Sequence, residues 1–167
     1  MNIKRNRLFA MGAVALSIFL LAASASAESG RRSLRGLKGV SVVVEKLDPA
    51  VEKDGLTRDV LRKDTISALR RAGIRVFSRK EWLKASGNPQ VYVNANVLKL
   101  AETGEYIYTI HIALKENVYL LREPIEIWGA TTWTKGGTVG ITGRLEKIRT
   151  AVKRQVAAFV TAFKSQN

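Results

Sequence analysis

One imidazole, His111, and no cysteine occur in a chain of 167 residues. That inventory excludes thiolate nucleophiles, disulfides, cysteine metal sites and any chemistry that needs two histidines. A lone histidine acts as a general base only beside an orienting partner, and no spacing here supplies one. His111 falls next to Thr109 on the more polar side of its segment, as a surface residue would. The acids Glu45, Asp48, Glu81, Glu102, Glu105, Glu116, Glu123 and Glu126 are scattered singly. A hydrolase working through paired carboxylates is therefore a remote alternative. No Gly-x-Ser-x-Gly elbow is present. No catalytic residue, metal or cofactor is assigned.

Two binding chemistries are more plausible. Tyr92, Asn94, Asn96, Thr109 and His111, with part of the 131–134 segment, share one parity of alternating segments. Amides, hydroxyls and an aromatic ring with few charges suit a recognition surface. A solvated sheet face carries the same residue types, and that is the blander reading. The second chemistry is anionic. The run Gly136–Gly143 leads into a helix beginning at Arg144, and free N–H groups at such a start can cradle an anion. Gly140, Gly143, Arg144, Lys147 and Arg154 are its candidate residues. The run lacks the Gly-Lys-Ser/Thr of a P-loop. A flexible connector is the favoured reading of the glycines.

These residues need elements to hold them. Residues 40–46, rich in valine, read as a strand that Asp48 and Pro49 stop. Residues 57–72 carry Leu61, Thr65, Ala68, Leu69 and Ala72 on one helical face, with Gly73 placed to end the helix. Residues 74–77 form a second strand, parallel to the first through a right-handed crossover. Ser78 and Glu81 match a capping box for a short turn of helix. Three strands follow as an antiparallel meander: 90–100, 106–120 extending towards Pro124, and 125–134. The middle strand is overlong, so a bend or bulge is expected near Glu116. From 144 to 164, Leu145, Ile148, Val152, Val156, Phe159 and Phe163 make an apolar stripe over five turns. The sum is α+β: a two-layer sandwich whose mixed sheet carries both long helices on one face, leaving the other face open.

The N-terminus gives an address. Lys4, Arg5 and Arg7 precede an apolar stretch from Leu8 to Ala23, and Ala25-Ser-Ala27 supplies small residues for cleavage before Glu28. Residues 1–27 are thus expected to be a signal peptide, residues 28–39 a mobile basic lead, and residues 40–165 a single domain. A permanent span needs about 20 apolar residues, more than this run offers. The mature protein is expected free in the periplasm, or secreted. Removing Lys4, Arg5 and Arg7 leaves 25 basic against 14 acidic residues, a net +11. Arg58, Arg62, Lys63, Arg70 and Arg71 on the first long helix, with Arg149 and Lys153 on the last, add to a positive outer layer. Such a layer would attract anionic lipid or lipopolysaccharide, and nucleic acid is not expected in that compartment.

Gly55-Leu-Thr57, Leu69-Arg-Arg-Ala-Gly-Ile74, Val91-Tyr-Val-Asn-Ala-Asn-Val97, Ala130-Thr-Thr-Trp133 and the stretch from Gly137-Thr-Val-Gly140 to Ile148-Arg149 resemble a family of small exported bacterial proteins of unassigned function. The element order is also similar to the N-terminal domain of the Tol–Pal propeller protein and to outer-membrane activators of penicillin-binding proteins. Neither resemblance carries catalytic residues over, and fold does not fix function. The reading is a non-catalytic accessory domain acting through envelope protein partners. Its alternative is adhesion to anionic envelope polymers.

Overall fold

A computed structural model describes residues 30–167; the expected signal peptide lies outside them. Strand β1 is Ser41–Val44, in which Val42 and Val44 turn inward. Asp48 then accepts the Ala50 N–H at 2.7 Å, and Pro49, which the sequence marked only as a strand stop, opens a short helix, α1 (Pro49–Lys53). Proline at a first helical position loses no bond, because that N–H has no intrahelical partner. Thr57 caps α2 (Arg58–Arg71), whose inward stripe is Leu61, Thr65 and Leu69. Gly73 follows with φ 81°, the left-handed turn expected there. Helix α3 (Arg79–Trp82) begins with the Ser78/Glu81 capping box.

The predicted strand at 74–77 shortens to a single parallel bridge, Val40 to Val76. Val40 donates to the Arg75 carbonyl and accepts from the Phe77 N–H. Gly39 lies so close beneath this segment that a Cβ would sit 2.7 Å from the Arg75 carbonyl oxygen. Only a residue without a side chain allows that approach.

Strands β2 (Gln90–Lys99), β3 (Tyr106–Tyr119) and β4 (Glu126–Thr142) form the meander, and the sheet order is β1-β2-β3-β4. β1 runs parallel to β2, and the other neighbours are antiparallel. Helix α4 is Leu145–Lys164. α2 packs over β1 and α4 over β3 and β4, so both long helices share one face, as the α+β sandwich requires. Their inner stripes meet Val91, Val93, Ala95 and Val97 of β2 and Ile110, Ile112 and Leu114 of β3. Trp133 meets Phe159 edge-on, with ring centroids 5.2 Å apart. Arg149 clamps Asp64 through two bonds of 2.5 and 2.8 Å, joining α4 to α2. This fork holds the Asp64 carboxyl below its ordinary range.

Two expectations need correction. The glycine-rich segment is not a connector, because residues 136–142 continue β4 in register with β3, from Thr138 opposite Ile110 to Thr142 opposite Tyr106. Glycine is a poor strand former on its own, but a preformed neighbouring edge supplies the ladder. The basic lead is not a free tail from Ser33 onward. Leu34 is fully buried, Ser33 donates to the Thr132 carbonyl, and the Asn167 side chain bonds both Gly36 and Leu34. The overlong β3 has its register shifts as expected near Glu116, and a further one at Ile110/Ile112. Among the described residues, no helix is long and apolar enough to cross a membrane.

Candidate functional site

The open face of the sheet is built by the outward parity of β2, β3 and β4. Register places Leu98, Ile107 and Ile141 in one row across the three strands, and Asn96, Thr109 and Val139 in the next. Asn94 pairs with His111 in the row after that. The sequence-predicted residues Tyr92, Asn94, Asn96, Thr109 and His111 thus lie on one face. Several of them are already engaged. Tyr92 and Asn94 both donate to the Glu45 carboxylate at the end of β1, Asn94 at 2.6 Å. These two bonds lower the Glu45 pKa, while burial and the adjacent carboxylate raise that of the Tyr92 hydroxyl. The Lys115 ammonium sits over the Tyr92 ring, 3.6 Å from its centroid. His111 Nε2 shares a 2.6 Å hydrogen bond with Thr134 Oγ1.

What the face leaves free is largely aliphatic. Leu98, Ile107, Val139 and Ile141 are 59%, 36%, 75% and 62% exposed. These four residues form one contiguous patch, which single scattered apolar side chains do not. Beside it, an open groove of about 540 Å³ runs under the loop ending in Pro49, between Lys46 and the Asn96, Leu98, Ile107 and Thr109 side of the sheet. Leu98 and Ile107 share the sequence parity of Asn96 and Thr109, so alternation alone turns them outward. Val139 and Ile141 were hidden because their segment read as a connector.

The anionic candidates converge on the other side of the sheet. Arg144, Lys147 and Arg154 line a surface hollow of about 590 Å³ together with Tyr108, Glu146 and Thr150. Gly140 reaches it indirectly: Tyr108 lies opposite Gly140 in the ladder, and a Cβ there would stand 2.6 Å from the Tyr108 hydroxyl oxygen. Gly140 therefore seats a ring and offers no loop amide. Gly143 is exposed in the turn before α4 and lines neither cavity.

A third feature was not singled out in the sequence. Tyr119, Leu121, Ile125, Ile127 and Trp128 are exposed around the β3–β4 turn. At the base of this arm, burial raises the Glu116 pKa against a hydrogen bond from Thr132. Among the described residues, no cluster of three or more His, Cys, Asp or Glu could hold a metal ion.

No family model and no curated protein matches the sequence. Among solved structures, the chain is similar to the PelC dodecamer of Paraburkholderia phytofirmans. A point variant of PelC aligns over 77% of this chain and 90% of its own, at 15% identity and a TM-score of 0.40. A second PelC structure aligns over 75% and 86%, at 17% identity and a TM-score of 0.38.

Proposed function

We propose that this chain is an exported, non-catalytic accessory domain of the periplasm that docks an envelope protein on the open face of its sheet. The observation that carries this reading is the row of Leu98, Ile107 and Ile141, extended by Val139, left bare on a face whose polar groups surround it. Specific interfaces combine an apolar centre with a polar rim, and Asn96, Thr109 and His111 supply such a rim. The engaged Glu45, Tyr92 and Asn94 fix one border without consuming the patch.

In-cell photocrosslinking from a probe at Thr109 tests it. A single envelope protein should be captured, and capture should persist as salt rises, because burial of aliphatic surface is not screened. Ile107→Asp with Ile141→Asp should abolish capture while the purified domain keeps its fold, since both side chains already face water. Capture that these substitutions leave unchanged overturns the reading. Fractionation of the same cells should place the processed chain, beginning at Glu28, in the periplasm.

A further inference from the structure

The hollow at the start of α4 combines three features that have no common structural purpose. Arg144, Lys147 and Arg154 line it, and none has a carboxylate within ion-pair distance among the described residues. Lys147, Thr150 and Arg154 follow one another at helical spacing along a single stripe, with Arg144 one turn earlier. Three like charges brought together without partners repel one another, which costs stability unless an anion joins them.

The helix start points the same way. No side chain caps α4: its N-cap position is Arg144, whose side chain has no acceptor to offer, so the Lys147 N–H turns to the Arg144 carbonyl at 3.1 Å while the Leu145 and Glu146 N–H groups have no side-chain cap. The positive end of a 20-residue helix dipole therefore lies at the same spot. Glu146, in the first turn, is the one carboxylate lining the hollow, so the lining stays net positive.

The third observation is independent of charge. Tyr108 is about nine-tenths buried, yet its hydroxyl has no hydrogen-bond partner among the described residues. The other largely buried tyrosine of β3, Tyr106, donates to Asp54 at 2.6 Å. The ring is buried while the hydroxyl at its edge is open to solvent, so that hydroxyl can bond an external acceptor without giving up an internal partner. Gly140 makes the arrangement possible, because any larger residue would displace the ring from beneath the hollow.

We propose that this hollow binds a phosphate group. Two hydroxyls, from Tyr108 and Thr150, and three cationic side chains exceed what the two oxygens of a carboxylate can accept. A phosphate monoester offers three oxygens and nearly two negative charges to the same donors. Tyr108 and Arg154 bind from the floor and the helix stripe, while Arg144, Lys147 and the helix start close the other side. The site is separate from the sheet-face patch and stands whether or not that face docks a protein.

Amide NMR titration of the mature chain at low salt, with inorganic phosphate and with a hexose 1-phosphate, tests this. The unphosphorylated hexose serves as control. Saturable shifts should centre on Leu145, Glu146, Lys147 and Tyr108. Arg144→Gln with Lys147→Gln should weaken binding about tenfold or more, since charge-assisted bonds are the strong ones. Tyr108→Phe should weaken it about threefold to tenfold with Tm retained, because no internal bond is lost. Lys63→Gln with Arg71→Gln removes equal charge from α2 and should leave affinity unchanged. Sedimentation with phosphatidic acid vesicles, whose headgroup is a phosphate monoester, then separates the sources. Vesicle binding that inorganic phosphate competes away assigns a lipid headgroup, and binding confined to the soluble ligands assigns a phosphorylated sugar. Shifts that fail to saturate, or equal losses in the α2 and α4 charge variants, overturn the proposal.

Discussion

Two polar clusters lie on opposite sides of β3 and differ in what their atoms already do. On the open face, Tyr92 and Asn94 are bound to Glu45, and His111 is bound to Thr134. On the helix side, the Tyr108 hydroxyl and the Arg144, Lys147 and Arg154 side chains have no protein partner among the described residues. Both clusters mix hydroxyls with charged or amide groups, so residue type alone does not tell them apart. Remaining hydrogen-bonding capacity does. An engaged cluster contributes to stability and frames a surface, whereas an unengaged one has free energy to gain from a ligand.

Substitutions can break this contrast. Gly140→Val should have the largest effect. Its side chain would enter the space of the Tyr108 ring, costing about 1–3 kcal/mol by overpacking and removing the phosphate response together. Thermal denaturation and the NMR titration would read the two losses in one protein. Tyr92→Phe and Tyr108→Phe form a matched pair next. The first should lower Tm at neutral pH and leave phosphate binding intact, and the second should do the reverse. A result with both variants behaving alike would erase the distinction between the clusters.

Acid titration sharpens the same point. The Glu45 pKa is depressed in the folded state by Tyr92 and Asn94, so its contribution is present above the ordinary carboxylate range. That contribution is lost as pH falls through the folded value. The Tm difference between the parent and Tyr92→Phe should therefore shrink towards zero in acid. Glu81 supplies a reference outside both clusters. The Ser78 N–H and the Arg75 guanidinium bring it down from 4.5 to about 2. Glu81→Gln should cost a little stability at neutral pH, a difference that disappears as pH drops from about 4.5 to about 2. This is the smallest effect expected.

Much of the architecture was legible because it rests on short-range periodicity. Alternation from Val91 to Val97 and from Tyr106 to Ile112 assigned inward and outward faces that burial bears out, and Ala113, outward by parity, is buried. The stripe from Ile148 to Phe159 did the same for α4. The glycine-rich end of β4 was misread because local composition favours a turn there, while pairing with β3 dictates a strand. The lead was misread because Leu34 is held through Asn167, 133 positions away. The sequence offered Arg144, Lys147 and Arg154 as candidate cations of α4, but nothing local tied them to Tyr108, whose inward parity in β3 is that of a core residue.

By itself, the sequence determined the two long helices, the inward sides of β1, β2 and β3 and the positive charge of α4, since each follows from residue spacing within about twenty positions. Only the tertiary structure decided which polar atoms remain unpartnered. Glu45 reaches Tyr92 and Asn94 across 47 and 49 positions, and Tyr108 lies over Gly140 through strand register. Pairing across such separations is set by how strands align, and no local pattern encodes which hydroxyl that alignment leaves without an acceptor.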